Sequence, residues 1–275
     1  MNISGSDVLL DGAVFEIIPM KNAFEKALDL PPGAIVSVTA SPAKGMEATV
    51  ELSEQLADRG YRVIPHLSAR LTKTQAELEE NVRRLAGAGI TRAFVVGGDA
   101  EDPGDFFDAM ALITGLGRIE HPFTEIGVTG YPEGHPFIDD DLLVRALREK
   151  QPHASYIATQ MCFDTDKIRD WLTRRRAEGI GLPVIVGIPG AIDTMKLMTI
   201  GARIGVGTSL KFLAKNRRSV AKLIKPGHYT PDELIDDLAP MAEDPKMSIV
   251  GLHIFTFNQV EGTLEWLEEA RRAAP

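Results

Sequence analysis

The chain has 275 residues, of which 44% are hydrophobic and 25% charged, with a net charge of −9 and one cysteine. That length holds one large domain or two small ones and a sizeable core. The negative charge speaks against a nucleic-acid partner, no apolar run approaches the roughly 20 residues that span a bilayer, and one cysteine excludes an internal disulfide and a cysteine-rich zinc site.

In chain order, short apolar runs alternate with amphipathic segments. The runs are AVFEII (13–18), AIVSVT (34–39), YRVIPH (61–66), RAFVVGG (92–98), EIGVTGY (125–131), SYIATQ (155–160), PVIVGI (183–188) and MSIVGLHIF (247–255). Each is rich in Val and Ile and flanked by Gly, Pro or charge, which predicts buried strands. The segments between them carry helical spacing. Residues 48–60 place Val50, Leu52, Leu56 and Ala57 on one side and stop at Gly60. Residues 74–89 repeat this with Leu78, Val82 and Leu85, and residues 165–179 with Ile168, Trp171 and Leu172.

Eight strands alternating with helices imply parallel strands joined by crossover helices, and eight is the closure number of the (β/α)8 TIM barrel. Even spacing, and the lack of G-x-G-x-x-G after the first run, argue against an open doubly wound sheet. With no linker and no internal repeat, residues 1–275 read as a single domain. Its spacing breaks once, at an extended helical segment over about 189–246 that contains DTMKLMTIGARIG, SLKFLAKN and PDELIDDLAPMAED. GVGTSLKF (205–212) lacks the full phosphate-loop pattern and reads as a helix start. The first residues, MNISGSDVLLDG, lack the basic-then-apolar pattern of a secretory leader, and the chain is expected to be cytoplasmic.

Active sites of this fold lie at the C-terminal ends of the strands. The polar residues there are Glu16 within the first strand, Ser37 and Thr39 on the second, and His66 on the third. The later strands contribute Gly97, Gly98 and Asp99, then Tyr131, Glu133 and His135, then Gln160, and last His253, Thr256 and Asn258. Glu16 stands among Val14, Phe15, Ile17 and Ile18, where a carboxyl is poorly solvated and suited to donating a proton, or else is paired to a base. Asp99 follows two glycines, which let backbone approach a ligand, although Gly-Asp is also an ordinary turn. His66, Asp99 and His135 raise the question of a metal, but no close histidine pair supports one, and none is assigned. Cys162 reads as packing, and Arg174–Arg176 as a solvated cluster at a helix end.

FEIIP, SVT, PHL, GGD, GYPEGHP, ATQMCFD, PG at 189–190 and HIFTFN occur in an order and spacing similar to the methylenetetrahydrofolate reductase family, from about residue 13 to 270. The resemblance implies a (β/α)8 barrel that uses FAD and NADH or NADPH to interconvert 5,10-methylenetetrahydrofolate and 5-methyltetrahydrofolate in one-carbon metabolism. Glu16 resembles the acid that helps open the folate ring, and Asp99 the aspartate beside flavin and pterin. Thr39, His66, Gly98, Tyr131 and His135 resemble flavin-contacting positions. Gln160 resembles a folate contact, and Asn258 falls in the last strand's motif. Asp141, with Arg148 or Lys150, resembles the residues that hold the cofactor's ribose and diphosphate. A tetrahydrofolate derivative is the implied small-molecule partner; a homo-oligomer is compatible with the pattern.

Four departures bear on the cofactor and the substrate tail. Gly97 stands where the family has arginine, and ASPAKGM replaces a glycine-rich stretch. Leu197 stands for a second folate-contacting glutamine, and Gln259 for an arginine. Divergent members of the family pass hydride directly from NADH without flavin. A folate barrel that transfers methyl, or a non-catalytic folate- or flavin-binding subunit, is the alternative.

Overall fold

The computed structural model describes residues 4–203 and 228–273. Its strands are β1 (Val14–Ile17), β2 (Ile35–Val38), β3 (Arg62–Ser68), β4 (Arg92–Val96), β5 (Glu125–Gly130), β6 (Tyr156–Thr159), β7 (Val184–Pro189), β8 (Ile192–Asp193), β9 (His228–Tyr229) and β10 (Ile249–Phe255). Eight of them form a closed barrel in the order β1-β10-β7-β6-β5-β4-β3-β2, while β8 and β9 make a separate antiparallel pair. The helices are α1 (Gly5–Asp11), α2 (Ala23–Ala27), α3 (Gly45–Asp58), α4 (Gln75–Gly87), α5 (Ala109–Leu116), α6 (Asp140–Lys150), α7 (Thr165–Ala177), α8 (Thr194–Arg203), α9 (Asp232–Ala242) and α10 (Val260–Ala273). The predicted TIM barrel is therefore present, and each predicted barrel strand is found within about two residues of its run. Parallel strands covered on both faces need apolar residues throughout, which is why all four positions of β1 and all six of β7 are buried.

The chain divides into two compact units, one of Val14–Thr129 with Ala146–Ile157, the other of Met1–Ala13, Gly130–Arg145 and Ala158–Pro275. In the first, α3 packs on β2 and β3, and α5 on β4. The helices meet the sheet with the residues that the helical spacing marks: Val50, Leu56, Leu78, Val82 and Leu85 are all buried. Each such side chain contributes about 1.5–3 kcal/mol relative to exposure. Arg84 of α4 ties to α3 through Glu54 at 2.5 Å and Glu47 at 2.8 Å.

Strand ends differ from the sequence reading in two informative places. β3 runs two residues beyond His66, because Leu67 and Ser68 find ladder partners in Val95 and Val96 of β4. β4 ends at Val96, before the two glycines, and Gly98 adopts φ 83, outside the extended region.

In the second unit, α1 is an element that hydrophobic periodicity did not signal. Its start is a reciprocal cap: the Asp7 N–H donates to Ser4 Oγ and the Ser4 N–H to Asp7 Oδ2, both at 3.2 Å. The helix lies against α9. A Cβ on Gly5 would stand 2.0 Å from the Ala239 carbonyl oxygen, so only glycine permits this approach. The segment over 189–246 holds α8 and α9 as expected, but also the pair β8–β9, with Ile192 opposite Tyr229. Two-residue strands are too short to leave a periodic signature. SLKFLAKN and GVGTSLKF lie outside the described residues.

The arginine triplet at the end of α7 is not a solvated cluster. Arg174 is exposed, but Arg175 is buried and lies 3.0 Å from Glu178. Arg176 is half-buried and donates to the carbonyls of Ile180, Leu182, Lys246 and Met247 at 2.7–3.2 Å.

Candidate active site

In the first unit, register places polar side chains on one side of the strands. Glu16 pairs with Ser37, Ser37 with Ile64, and His66, two residues on, with Phe94. Residues in register, and those two apart, point the same way. Glu16, Ser37, His66 and Ser68 therefore share a face, opposite Val36 and Val38. Ser37 Oγ and His66 Nε2 are joined by a 2.6 Å hydrogen bond, and both residues are buried. The His66 ring tilts against Phe94 at 4.8 Å between centroids, and Phe94 stacks on Tyr156 at 6.4 Å. A Cβ on Gly127 would lie 2.3 Å from the Tyr156 ring, so that glycine is the space the ring occupies. Burial holds the Tyr156 hydroxyl far above its usual pKa, so it stays protonated. Glu16 is 8% exposed on this face, a carboxyl brought into the barrel strand by β1.

At the strand ends of this unit, Thr39 is half-buried and its carbonyl accepts from the Thr49 hydroxyl at 2.8 Å. Gly98 packs on Ser68: a Cβ there would stand 2.1 Å from Ser68 Oγ. Gly97, by contrast, would point a Cβ into open space. Asp99, next in sequence, is exposed. The ASPAKGM stretch closes as a tight turn, with the Lys44 and Gly45 N–H groups donating to the Ser41 carbonyl at 3.0 and 2.9 Å, and Met46 buried at the start of α3.

In the second unit, Tyr131 and His135 are half-buried and meet edge to face at 5.3 Å. His135 Nδ1 accepts from the Phe137 N–H at 3.3 Å, and the Phe137 side chain is 91% exposed. Gln160 stands one residue past β6. Its N–H donates to the Gly130 carbonyl, and its Oε1 accepts from the Met161 N–H, both at 2.8 Å. One half of the amide thus fixes the turn, and the NH2 half is left to donate elsewhere. Four residues on, Asp164 accepts from the N–H groups of Asp166 and Lys167, capping α7. Cys162 between them is fully buried, in keeping with its reading as packing. Beyond β10, Phe257 (φ 51) and Asn258 (φ 58) are consecutive non-glycine residues in the left-handed region. Such backbone costs on the order of 1–3 kcal/mol per residue and concentrates at functional sites.

The sequence pattern of the methylenetetrahydrofolate reductase family matches residues 20–270. The chain belongs to that family. Two curated relatives match over a shorter stretch. Methylenetetrahydrofolate reductase 1 of Schizosaccharomyces pombe is 43% identical over 65 residues, and Methylenetetrahydrofolate reductase 2 of Saccharomyces cerevisiae 40% identical over 67. Each match covers 23% of this chain and 11% of the yeast protein. Among solved structures, 2,3-dimethylmalate lyase, a PEP mutase/isocitrate lyase superfamily member, superposes with a TM-score of 0.50 at 10% identity. That superposition covers 99% of this chain and 84% of the other. A Burkholderia cenocepacia protein assigned as a phosphonomutase gives a TM-score of 0.50 at 11% identity, over 98% and 96% of the two chains. At that identity the likeness is one of fold alone.

Two family positions are separated by burial. Asp141 is exposed in the first turn of α6, while Arg148 and Lys150 both lie in its last turn. Arg148 is exposed. Lys150 is only 7% exposed, and burial pulls its ammonium pKa below the usual lysine range against the opposing pull of Asp108. Of the two cations, Arg148 is the one open to solvent. Leu197 is fully buried, where an amide would need a partner. Ser68 and Arg70 are neighbours of the site that the sequence did not flag. Their signal is spacing, two and four residues beyond His66 on the longer β3 and the turn that follows it.

Proposed function

We propose that the chain is an oxidoreductase that interconverts 5,10-methylenetetrahydrofolate and 5-methyltetrahydrofolate with NADH or NADPH. The observation that carries this reading is the family match over residues 20–270 together with a nearly buried carboxyl, Glu16, inside β1. In the reducing direction, Glu16 gives a proton to the folate nitrogen that leaves the bridging methylene. The five-membered ring opens, and hydride from the nicotinamide completes the methyl group, leaving NAD(P)⁺. Asp99, exposed after Gly97 and Gly98, serves at the reacting ring system. Gln160 and Asn258 orient the folate, with the Gln160 NH2 half as the donor. Positioning carries most of hydride transfer.

The residues present fit a flavin nucleotide at most of the family's contact positions. Thr39, His66, Gly98, Tyr131, His135, Asp141 and Arg148 would hold it; Lys150 would not, because it is buried. FAD, when bound, supplies a two-electron carrier between nicotinamide and folate. The open space beyond Gly97 and the closed turn at 40–46 favour weak flavin retention or direct hydride transfer. The chain is expected to act in the cytoplasm. Among the described residues no helix is long and apolar enough to cross a membrane.

The deciding assay is anaerobic oxidation of NADH or NADPH with methylenetetrahydrofolate, with and without added FAD, alongside an absorbance scan of dialysed protein. Folate-dependent oxidation is the expected outcome. A full equivalent of flavin retained through dialysis overturns the weak-retention reading. No turnover with either nucleotide, with or without FAD, overturns the oxidoreductase and leaves the methyl-transfer or binding-subunit reading.

A further inference from the structure

We propose that Arg70 is the positioning residue for Asp99: from the turn after β3, it holds the backbone on both sides of that aspartate. The inference rests on the proposed oxidoreductase reading for its functional consequence, not for its geometry. Arg70 lies in the short turn Ala69–Leu71 and is half-buried. Its own N–H donates to the Gly97 carbonyl at 2.9 Å. Its guanidinium Nε donates to the Ala100 carbonyl at 2.5 Å, Nη2 to Glu101 at 2.9 Å and Nη1 to Phe107 at 3.3 Å. Asp99 therefore sits between two carbonyls, Gly97 and Ala100, that a single residue grips.

A planar guanidinium with five fixed donors is suited to collecting several carbonyls at once, which a lysine ammonium on its flexible stem is not. Among the described residues Arg70 has no carboxylate partner, so the backbone of 97–107 is what it serves. Two neighbours extend the grip. Lys73 Nζ donates to the Asp102 carbonyl, and the Lys73 carbonyl accepts from the Asp105 N–H at 2.9 Å. On the other side of Asp99, Gly98 at φ 83 rests on Ser68 Oγ, a buried hydroxyl with no hydrogen-bond partner. The segment from Gly97 to Asp108 has no helix or strand, and its charged residues Asp99, Glu101, Asp102, Asp105 and Asp108 are all exposed. Left to itself, a loop of this length samples many conformations. Fixing its carbonyls from β3 places the Asp99 carboxylate at one location before any ligand arrives.

The test is a cycle of Arg70→Ala, Arg70→Lys, Asp99→Asn and Arg70→Ala/Asp99→Asn, read by folate-dependent NAD(P)H oxidation and by amide exchange of residues 97–108. Arg70→Ala is expected to lower kcat/KM for folate by about 10²-fold, the cost of misplacing a reacting group by an ångström or so. In the double variant that loss disappears, so that it matches Asp99→Asn alone. Arg70→Lys should be impaired too, and it covers the case in which Arg70→Ala does not fold. Exchange over 97–108 should quicken in both Arg70 variants and stay slow in Asp99→Asn. Additive losses in the cycle, or unchanged exchange over 97–108, overturn the proposal. If wild-type protein shows no folate-dependent turnover, the oxidoreductase reading falls, and the exchange measurement still decides whether Arg70 holds the loop.

Discussion

Two arginines do the same chemical work at opposite kinds of place. Arg70 gathers the carbonyls of Ala100, Glu101 and Phe107 in the loop that leaves the C-terminal end of β4. Arg176 gathers those of Ile180, Leu182, Lys246 and Met247, in the segments that lead into the N-terminal ends of β7 and β10. In a (β/α)8 barrel the first kind of end carries ligand chemistry and the second carries stability. The difference teaches that a guanidinium filled with carbonyls says nothing of function by itself; the strand end it serves decides what its loss should do.

The comparison breaks most visibly at Glu16. Glu16→Gln removes the proton donor without removing bulk, and should cut folate reduction by about 10²-fold or more while leaving the melting temperature near that of wild type. Turnover at the wild-type rate in this variant would end the assignment of Glu16 as the acid. Arg176→Ala should do the reverse. Losing its charged hydrogen bonds to carbonyls should cost about 2–3 kcal/mol and lower Tm by roughly 5–10 °C, with kcat and both KM values per folded molecule unchanged. A fall in kcat at 25 °C would show that the N-terminal end reaches the chemistry.

Gln160 sharpens the distinction within one side chain. Gln160→Glu keeps the Oε1 acceptor that holds the Met161 N–H at 2.8 Å and deletes both N–H donors. Folate binding should weaken by about 1–3 kcal/mol, seen as a larger rise in KM for folate than in KM for NAD(P)H, at unchanged Tm. A lower Tm with unaltered folate KM would make Gln160 a backbone cap and nothing more.

The smallest effect belongs to Lys150. Because burial lowers its pKa in the folded chain, the unfolded chain binds more protons between that value and the ordinary lysine pKa of about 10.4. Stability contributed through this group therefore rises with pH across that window. Lys150→Met should raise Tm near neutral pH by about 2–4 °C, the shift that about 1 kcal/mol produces in a chain of this size. The gain should shrink toward about pH 10.4, and the affinity for the nucleotide should not change. A gain that is constant with pH would mean packing, not desolvation, sets the effect; a loss of nucleotide affinity would return Lys150 to the cofactor site.

By itself, the sequence determined the barrel. Runs such as PVIVGI must be strands covered on both faces, because their apolar residues do not alternate with polar ones. Helices such as the one bearing Leu78, Val82 and Leu85 must lie on a sheet, because their apolar residues fall on one side. The family motifs also lie along the sequence, so the order of Glu16, His66, Asp99 and Gln160 was legible without coordinates. What only the tertiary structure decided is which neighbour each polar group meets. Arg175 and Arg176 look like surface charges because a helix-end arginine cluster is usually solvated, yet one is buried beside Glu178 and the other is filled by carbonyls 70 and 71 residues away. Arg148 and Lys150 are two residues apart with the same charge, but two residues on a helix turn a side chain to the other side, and there one meets solvent and the other the core. Arg70 carried no motif at all, since its partners are backbone carbonyls of a distant loop, and carbonyls leave no mark in a sequence.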